Sequence, residues 1–102
     1  MNDPLSAEKC SDLLKALADP HRLHLIQALR EREQSVSDLA ALLDMEIGNV
    51  SHHLKVLRQR DIVKFRRKGK AMIYALSSEI FHSGRSTPDR FDFGCCRLEL
   101  PK

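Results

Sequence analysis

The spacing of apolar residues changes period near residue 60. Up to Gln59 the apolar residues recur every three or four positions; from Val63 they alternate. Val50, Leu54 and Leu57 close the helical pattern. Val63 and Phe65, then Met72, Tyr74 and Leu76, carry the alternating one. Lys68-Gly69-Lys70 separates the two alternating runs, and Gly69 is free to take the positive φ of a tight turn. A helix running straight into a two-stranded ribbon leaves few architectures open to so short a chain.

Three further helices are expected upstream. Leu13, Leu14 and Leu17 predict a first helix over residues 7–18. Asp19-Pro20 is a start signal, with Asp as N-cap and Pro at the first helical position. The second helix is expected from Pro20 to about Arg32, with Leu23, Ile26 and Leu29 inward, before Gln34-Ser35 breaks the pattern. Ser35 or Ser37 can cap a third helix that carries Leu39, Leu42 and Leu43 and ends near Asp44. The fourth starts at Glu46 or Ile47 and buries Val50, Leu54 and Leu57; Gly48 falls in its first turn, where low helix propensity costs least.

Downstream, Ser77–Phe81 predicts a short terminal helix capped by Ser77 or Ser78. Residues 83–89 are polar and include Pro88, which predicts a linker, and FDFGCCRLEL alternates weakly, as a strand-like tail would. The expected fold is mostly α with a small β-hairpin, in the order α-α-α-α-β-β with a short terminal helix or tail. Residues 1–82 would form the domain, and 83–102 the linker and cysteine-containing tail.

A chain of 102 residues makes one domain, near the size at which dimerisation adds useful stability. Hydrophobic residues at 42% and charged ones at 30% exclude a disordered chain. No apolar run approaches the ~20 residues of a membrane span. MNDPLSAEKC lacks a signal-peptide layout, so the cytoplasm is the expected location. Paired carboxylates, a nucleophile motif and a phosphate-binding glycine loop are all missing, and the four glycines are scattered, which argues against an enzyme.

Charge points to a polyanion. The net charge of +3 conceals a segment, Lys55 to Lys70, with eight bases against Asp61 alone, or +7. The remainder carries nine bases and thirteen acids, or −4. Such a cationic segment on an acidic domain is the footprint of a nucleic-acid site.

Two short helices joined by a tight turn and followed by a β-ribbon make a winged helix-turn-helix. Its fourth helix would lie in the major groove of double-stranded DNA. The inward stripe leaves Asn49, Ser51, His52 and Lys55 outward, polar groups suited to base edges and phosphates. The wing supplies Arg66, Arg67, Lys68 and Lys70, with Arg67 and Lys68 nearest its tip. Charges on an edge strand also block aggregation, and the two roles are compatible.

LLKALADPHRLHLIQAL and SVSDLAALLDMEIGNVSHHLKVLRQRDIVKFRRKGKAMIYAL resemble the ArsR/SmtB family of bacterial winged-helix repressors over about residues 9–77. The most specific part is Val-Ser-x-His-Leu-x-x-Leu-Arg, here Val50 to Arg58, which adds Arg58 to the expected DNA-contacting set. The resemblance implies a homodimer on an inverted-repeat operator, released by an effector that is usually a metal or metalloid ion. The family tends to place Gly after the recognition helix; this chain has Asp61, which tolerates the left-handed conformation better than most residues. Two family ion sites are not expected. Ser35 and Ser37 stand where the third-helix site near Asp38 needs cysteines. Only Glu79 and His82 are near where a long final helix would carry paired Asp/His groups, and Pro88 limits that helix.

The cysteines are Cys10, Cys95 and Cys96, too few for a disulfide framework. Adjacent thiols rarely bond to each other but can share a soft ion. By resemblance, a vicinal C-terminal pair with a third thiol, here Cys10, implies a site for arsenite or antimonite. Three sulfurs with His21, His24 or His82 would suit zinc, cadmium or lead. Two other readings stay open: a redox or persulfide switch in which Cys10 pairs with Cys95 or Cys96, and a ligand-independent regulator in which Cys10 is a buried hydrophobe. His21 and His24 share an i, i+3 face, yet no acid or thiol is fixed nearby, and ordinary surface histidines are the simpler reading. His53 is expected to lean towards the base of its helix.

Overall fold

The computed structural model describes residues 4–82, 89–94 and 96–100. Four helices come first: α1 (Pro4–Leu17), α2 (Pro20–Glu31), α3 (Val36–Leu43) and α4 (Ile47–Gln59). Asp19 caps α2 from an extended backbone, its carboxylate accepting from the backbone N–H of His21 at 2.8 Å and of Arg22 at 3.2 Å. Ser35 caps α3 through the N–H of Asp38 at 3.1 Å. These are the caps the sequence predicts.

Strands β2 (Val63–Lys68) and β3 (Ala71–Leu76) pair antiparallel around Gly69, at φ 61°, and form the expected wing. A short strand, β1 (Gln34–Ser35), joins the other edge of β3, so the sheet is three-stranded in the order β1-β3-β2. Gln34 is buried there and donates from its side chain to the Ala28 carbonyl at 3.2 Å, locking the end of α2 to the sheet.

The core is built from Leu13 and Leu17 of α1, Leu25, Ile26 and Leu29 of α2, Leu39 of α3, and Val50, Leu54 and Leu57 of α4, closed below by Ile62, Val63 and Tyr74. The α4 stripe is the one the period predicts. Two other stripes are rotated. Leu14 and Leu23 are exposed, at 47% and 38% of their surface. In α2 the inward positions are 25, 26 and 29, and Arg22 takes the seat one turn earlier, where its guanidinium serves α1 rather than the core.

The terminal helix expected over Ser77–Phe81 is a correction. Only one turn forms, with the Ile80 and Phe81 N–H groups both bonding the Ser77 carbonyl, and the chain then enters strand β4 (Phe81–His82). Phe81 is drawn out because it pairs with Phe91 of β5 (Asp89–Asp92), which pairs in turn with β6 (Arg97–Leu100). The second sheet has the order β4-β5-β6. Phe91 is fully buried in the main core, and the expected boundary at 82/83 lies between two strands that pair with each other. Arg30 of α2 clamps this sheet: its Nη2 lies 2.6 Å from Asp89 Oδ2 and its Nε donates to the same oxygen at 2.8 Å. Of the expected linker 83–89, Asp89 is instead buried as the first residue of β5, where it pairs with Arg30; residues 83–88, with Pro88, and Cys95 lie outside the described residues. Among the described residues no helix is long and apolar enough to cross a membrane.

Candidate nucleic-acid interface

A tight turn sets the angle between α3 and α4. Asp44 ends α3 in the left-handed region at φ 54°, and its N–H and that of Met45 return to the carbonyls of Ala41 and Ala40. At the far end of α4, Asp61 adopts φ 59°, the left-handed cap that Gly would ordinarily fill. The Asp61 N–H bonds the Arg58 carbonyl at 2.9 Å and the Ile62 N–H bonds that of Leu57 at 3.0 Å. The chain thereby reverses into the wing within three residues.

On α4, Asn49, Ser51, His52 and Lys55 are all exposed, opposite the buried Val50, Leu54 and Leu57. Arg67, Lys68 and Lys70 are exposed at the wing tip, and none of them, nor Lys55, makes an ion pair among the described residues. Uncompensated cations on a rigid ribbon beside a polar helix face suit the phosphate backbone, with the helix presented to base edges.

Two expected contacts are engaged elsewhere. The Arg58 guanidinium stacks over the Phe65 ring, 5.0 Å from its centroid, and so joins α4 to the wing. Arg66 forms an ion pair with Glu33, just beyond the end of α2. Both remain at the rim of the cationic surface, but their first partners lie within the chain.

His53 is half-buried behind the exposed face, with Arg22 Nη1 3.3 Å from its Nδ1. Its ring lies 5.5 Å from that of His21 and 5.6 Å from that of His52. Partial burial pushes the His53 pKa down; Asp19 opposes this, and Arg22, His21 and His52 add to it. Burial alone would raise the Asp19 carboxyl, yet the N–H donors of Arg22 and His21 and the Arg22 guanidinium hold it below the ordinary carboxylate range. Nothing in the sequence period marks this polar junction, because Arg22 occupies an inward position through its stem and hydrogen bonds.

A second chemical feature lies on α1. Cys10 is buried and disulfide-bonded, and the free thiol of Cys96, just ahead of β6, has its sulfur 3.0 Å from the Cys10 sulfur. Residues from opposite ends of the chain, 86 positions apart, therefore meet within one subunit. The histidines offered as companion ligands stand apart from one another: His21 faces α4, and His24 and His82 are exposed on α2 and β4. No group of three His, Cys, Asp or Glu side chains arranged for a metal exists among the described residues.

A model of the bacterial regulatory protein arsR family matches residues 19–64, from the cap of α2 into β2. The chain is 42% identical to the transcriptional repressor SmtB homolog of Synechocystis over 71 residues, which cover 70% of this chain and 54% of that relative. It is similar to the structure of reduced HlyU from Vibrio cholerae, with 35% identity and a TM-score of 0.66, covering 71% of this chain and 76% of that one. It is also similar to a homodimeric winged helix-turn-helix domain from Mycobacterium bovis, with 27% identity and a TM-score of 0.70, over 78% of this chain and 75% of that one.

Proposed function

This chain belongs to the arsR family of bacterial regulatory proteins, and from that premise we propose that it is a cytoplasmic, homodimeric transcriptional repressor. It reads an inverted-repeat operator with α4 and its wing, and is released by thiol chemistry at Cys10, Cys95 and Cys96. Its family consists of regulators rather than enzymes, in keeping with a sequence that carries no catalytic constellation.

One observation carries the DNA reading. Exposed, uncompensated Lys55, Arg67, Lys68 and Lys70 flank the polar face of Asn49, Ser51 and His52. In a dimer each subunit would place α4 in one major groove, with half-sites about 34 Å apart. Arg67 and Lys68 would grip the backbone, and Asn49, Ser51 and His52 would meet base edges.

The sulfur pair supports the effector reading. Thiolates favour soft or borderline ions, and the Cys10 and Cys96 sulfurs are close enough to share one once the Cys10 disulfide is reduced. Arsenite, antimonite, cadmium, lead or zinc would be held there with Cys95 as the third donor. The disulfide at Cys10 favours a second reading, in which oxidation itself is the signal.

Fluorescence anisotropy on a duplex selected from a random pool separates these readings. Reduced protein should bind with a steep salt dependence. Arsenite, cadmium or zinc should each be tested for a loss of affinity of about fivefold or more, the usual scale of coupling between sites. A Cys10→Ser or Cys96→Ser variant should bind DNA and ignore the ion. Release by diamide with none by any ion selects the redox reading. Affinity indifferent to both removes the sulfurs from regulation, and failure to select any duplex removes the DNA function.

A further inference from the structure

Strand β6 is the outer strand of the β4-β5-β6 sheet, with β5 as its sole described neighbour. Its four residues, Arg97-Leu98-Glu99-Leu100, alternate exposed and half-buried. Leu98 lies opposite the buried Phe91 and Leu100 opposite Asp89, so the two leucines line the core-facing side. Arg97 lies opposite Asp92 and Glu99 opposite Arg90 on the outer side. Arg97 and Glu99 are exposed, and neither makes an ion pair among the described residues. An edge strand of this kind offers a row of backbone donors and acceptors to another strand.

The sequence of β6 is complementary to itself in one antiparallel register. Centred on Leu98, a two-fold pairing sets Leu98 against the partner's Leu98 and Arg97 against the partner's Glu99, twice by symmetry. Centring on Arg97 or on Glu99 sets like charges directly opposite each other. A centre between residues puts leucines opposite charges and turns the two apolar faces to opposite sides. The register centred on Leu98 also extends the outer row of charges. It would run Asp92, Arg97, the partner's Glu99, the partner's Arg90, with signs alternating throughout.

We infer that β6 pairs with β6 of a second copy of this chain, making a continuous six-stranded sheet across the dimer axis. A four-residue edge buries too little area to hold a dimer alone, since stable interfaces bury ~800 Å² per partner. An adjoining surface supplies more. The exposed side of α1 is an apolar open groove of about 410 Å³, lined by Ala7, Cys10, Ser11, Leu14, Lys15 and Ala18. It meets the start of β6 at the Cys10–Cys96 contact. The strand sets the register, and the groove with its exposed Leu14 adds apolar burial. This inference rests on the homodimer reading and names the surface that forms it.

Charge reversal tests it on the full-length protein. Arg97→Glu and Glu99→Arg each turn two attractive cross-subunit pairs into repulsive ones. Each should weaken dimerisation on the order of ten- to thirtyfold in sedimentation equilibrium at low salt. The double variant Arg97→Glu/Glu99→Arg should return to within about threefold of the parent. It restores only the cross-subunit match: within each subunit the new acid still faces Asp92 and the new base still faces Arg90. A merely structural role would therefore leave the double variant as impaired as the singles, and thermal melts would report that damage directly. Dimers of unchanged affinity in both single variants would overturn this interface and leave the homodimer reading standing. A parent protein that sediments as a monomer would overturn both.

Discussion

Arg22, in the first turn of α2, reaches His53 on α4, with its Nη1 3.3 Å from the imidazole Nδ1. The same guanidinium donates from Nε to the Ala16 carbonyl at 2.5 Å and from Nη2 to that of Lys15 at 3.5 Å, at the C-terminal end of α1. One side chain thus ties three helices together and complements the negative end of the α1 dipole. Arginine has donors only, so Nδ1 must be the acceptor and the neutral ring carries its proton on Nε2.

Arg22→Met keeps the apolar stem and removes every donor. It should cost about 1–3 kcal/mol in urea unfolding, because the last carbonyls of α1 and the Nδ1 of His53 lose their partner. A double-mutant cycle with His53→Gln should show coupling of about 0.5 kcal/mol or more. Additive losses would mean that the contact contributes nothing.

His53 gives stability a pH dependence of definite sign. Its native pKa is depressed, chiefly by desolvation, below the ordinary value near 6.5. Above that value the ring is neutral in both states and adds no slope. As pH falls below it the unfolded chain takes up a proton first, so stability declines until the native ring protonates as well, and then levels off. Between pH 7.5 and 5.5, wild type should lose more unfolding free energy than His53→Gln. Equal losses would contradict the assignment.

Glu33 holds Arg66 in an exposed ion pair at the rim of the cationic surface. Glu33→Gln would release that arginine to the phosphate backbone and remove one negative charge. Binding to random-sequence duplex should tighten a few-fold, and the salt slope should steepen by up to ~0.9 for one added phosphate contact. Arg67→Ala and Lys68→Ala should each flatten the slope by about the same amount. Titrations at several salt concentrations measure all three.

Arg30 and Asp89 retain 15% and 12% of their side-chain exposure and hold the second sheet to α2. Arg30→Met leaves the Asp89 carboxylate at a largely buried site without this cation, and should cost about 2–4 kcal/mol. Hydrogen exchange in β5 and β6 should accelerate before that in the core helices. Uniform protection across both would show that this ion pair does not hold the sheet to α2.

Elements whose signals are local can be read from the order of the amino acids. Asp19-Pro20, Ser35 and Gly69 mark caps and a turn through their own backbone chemistry, and Val50, Leu54 and Leu57 repeat strictly enough to orient α4. The exposed face of Asn49, Ser51, His52 and Lys55 followed from that stripe. Features that depend on partners distant in the chain emerge only in the folded molecule. Leu23 is exposed because Arg22 takes the inward seat to serve α1. Phe81 leaves a nascent helix to pair with Phe91, ten residues on. Arg58 and Arg66 are turned towards Phe65 and Glu33, and Cys10 meets Cys96 from the other end of the chain. A cap or an apolar period is written within a few neighbouring residues, whereas these contacts exist only once the chain has closed on itself.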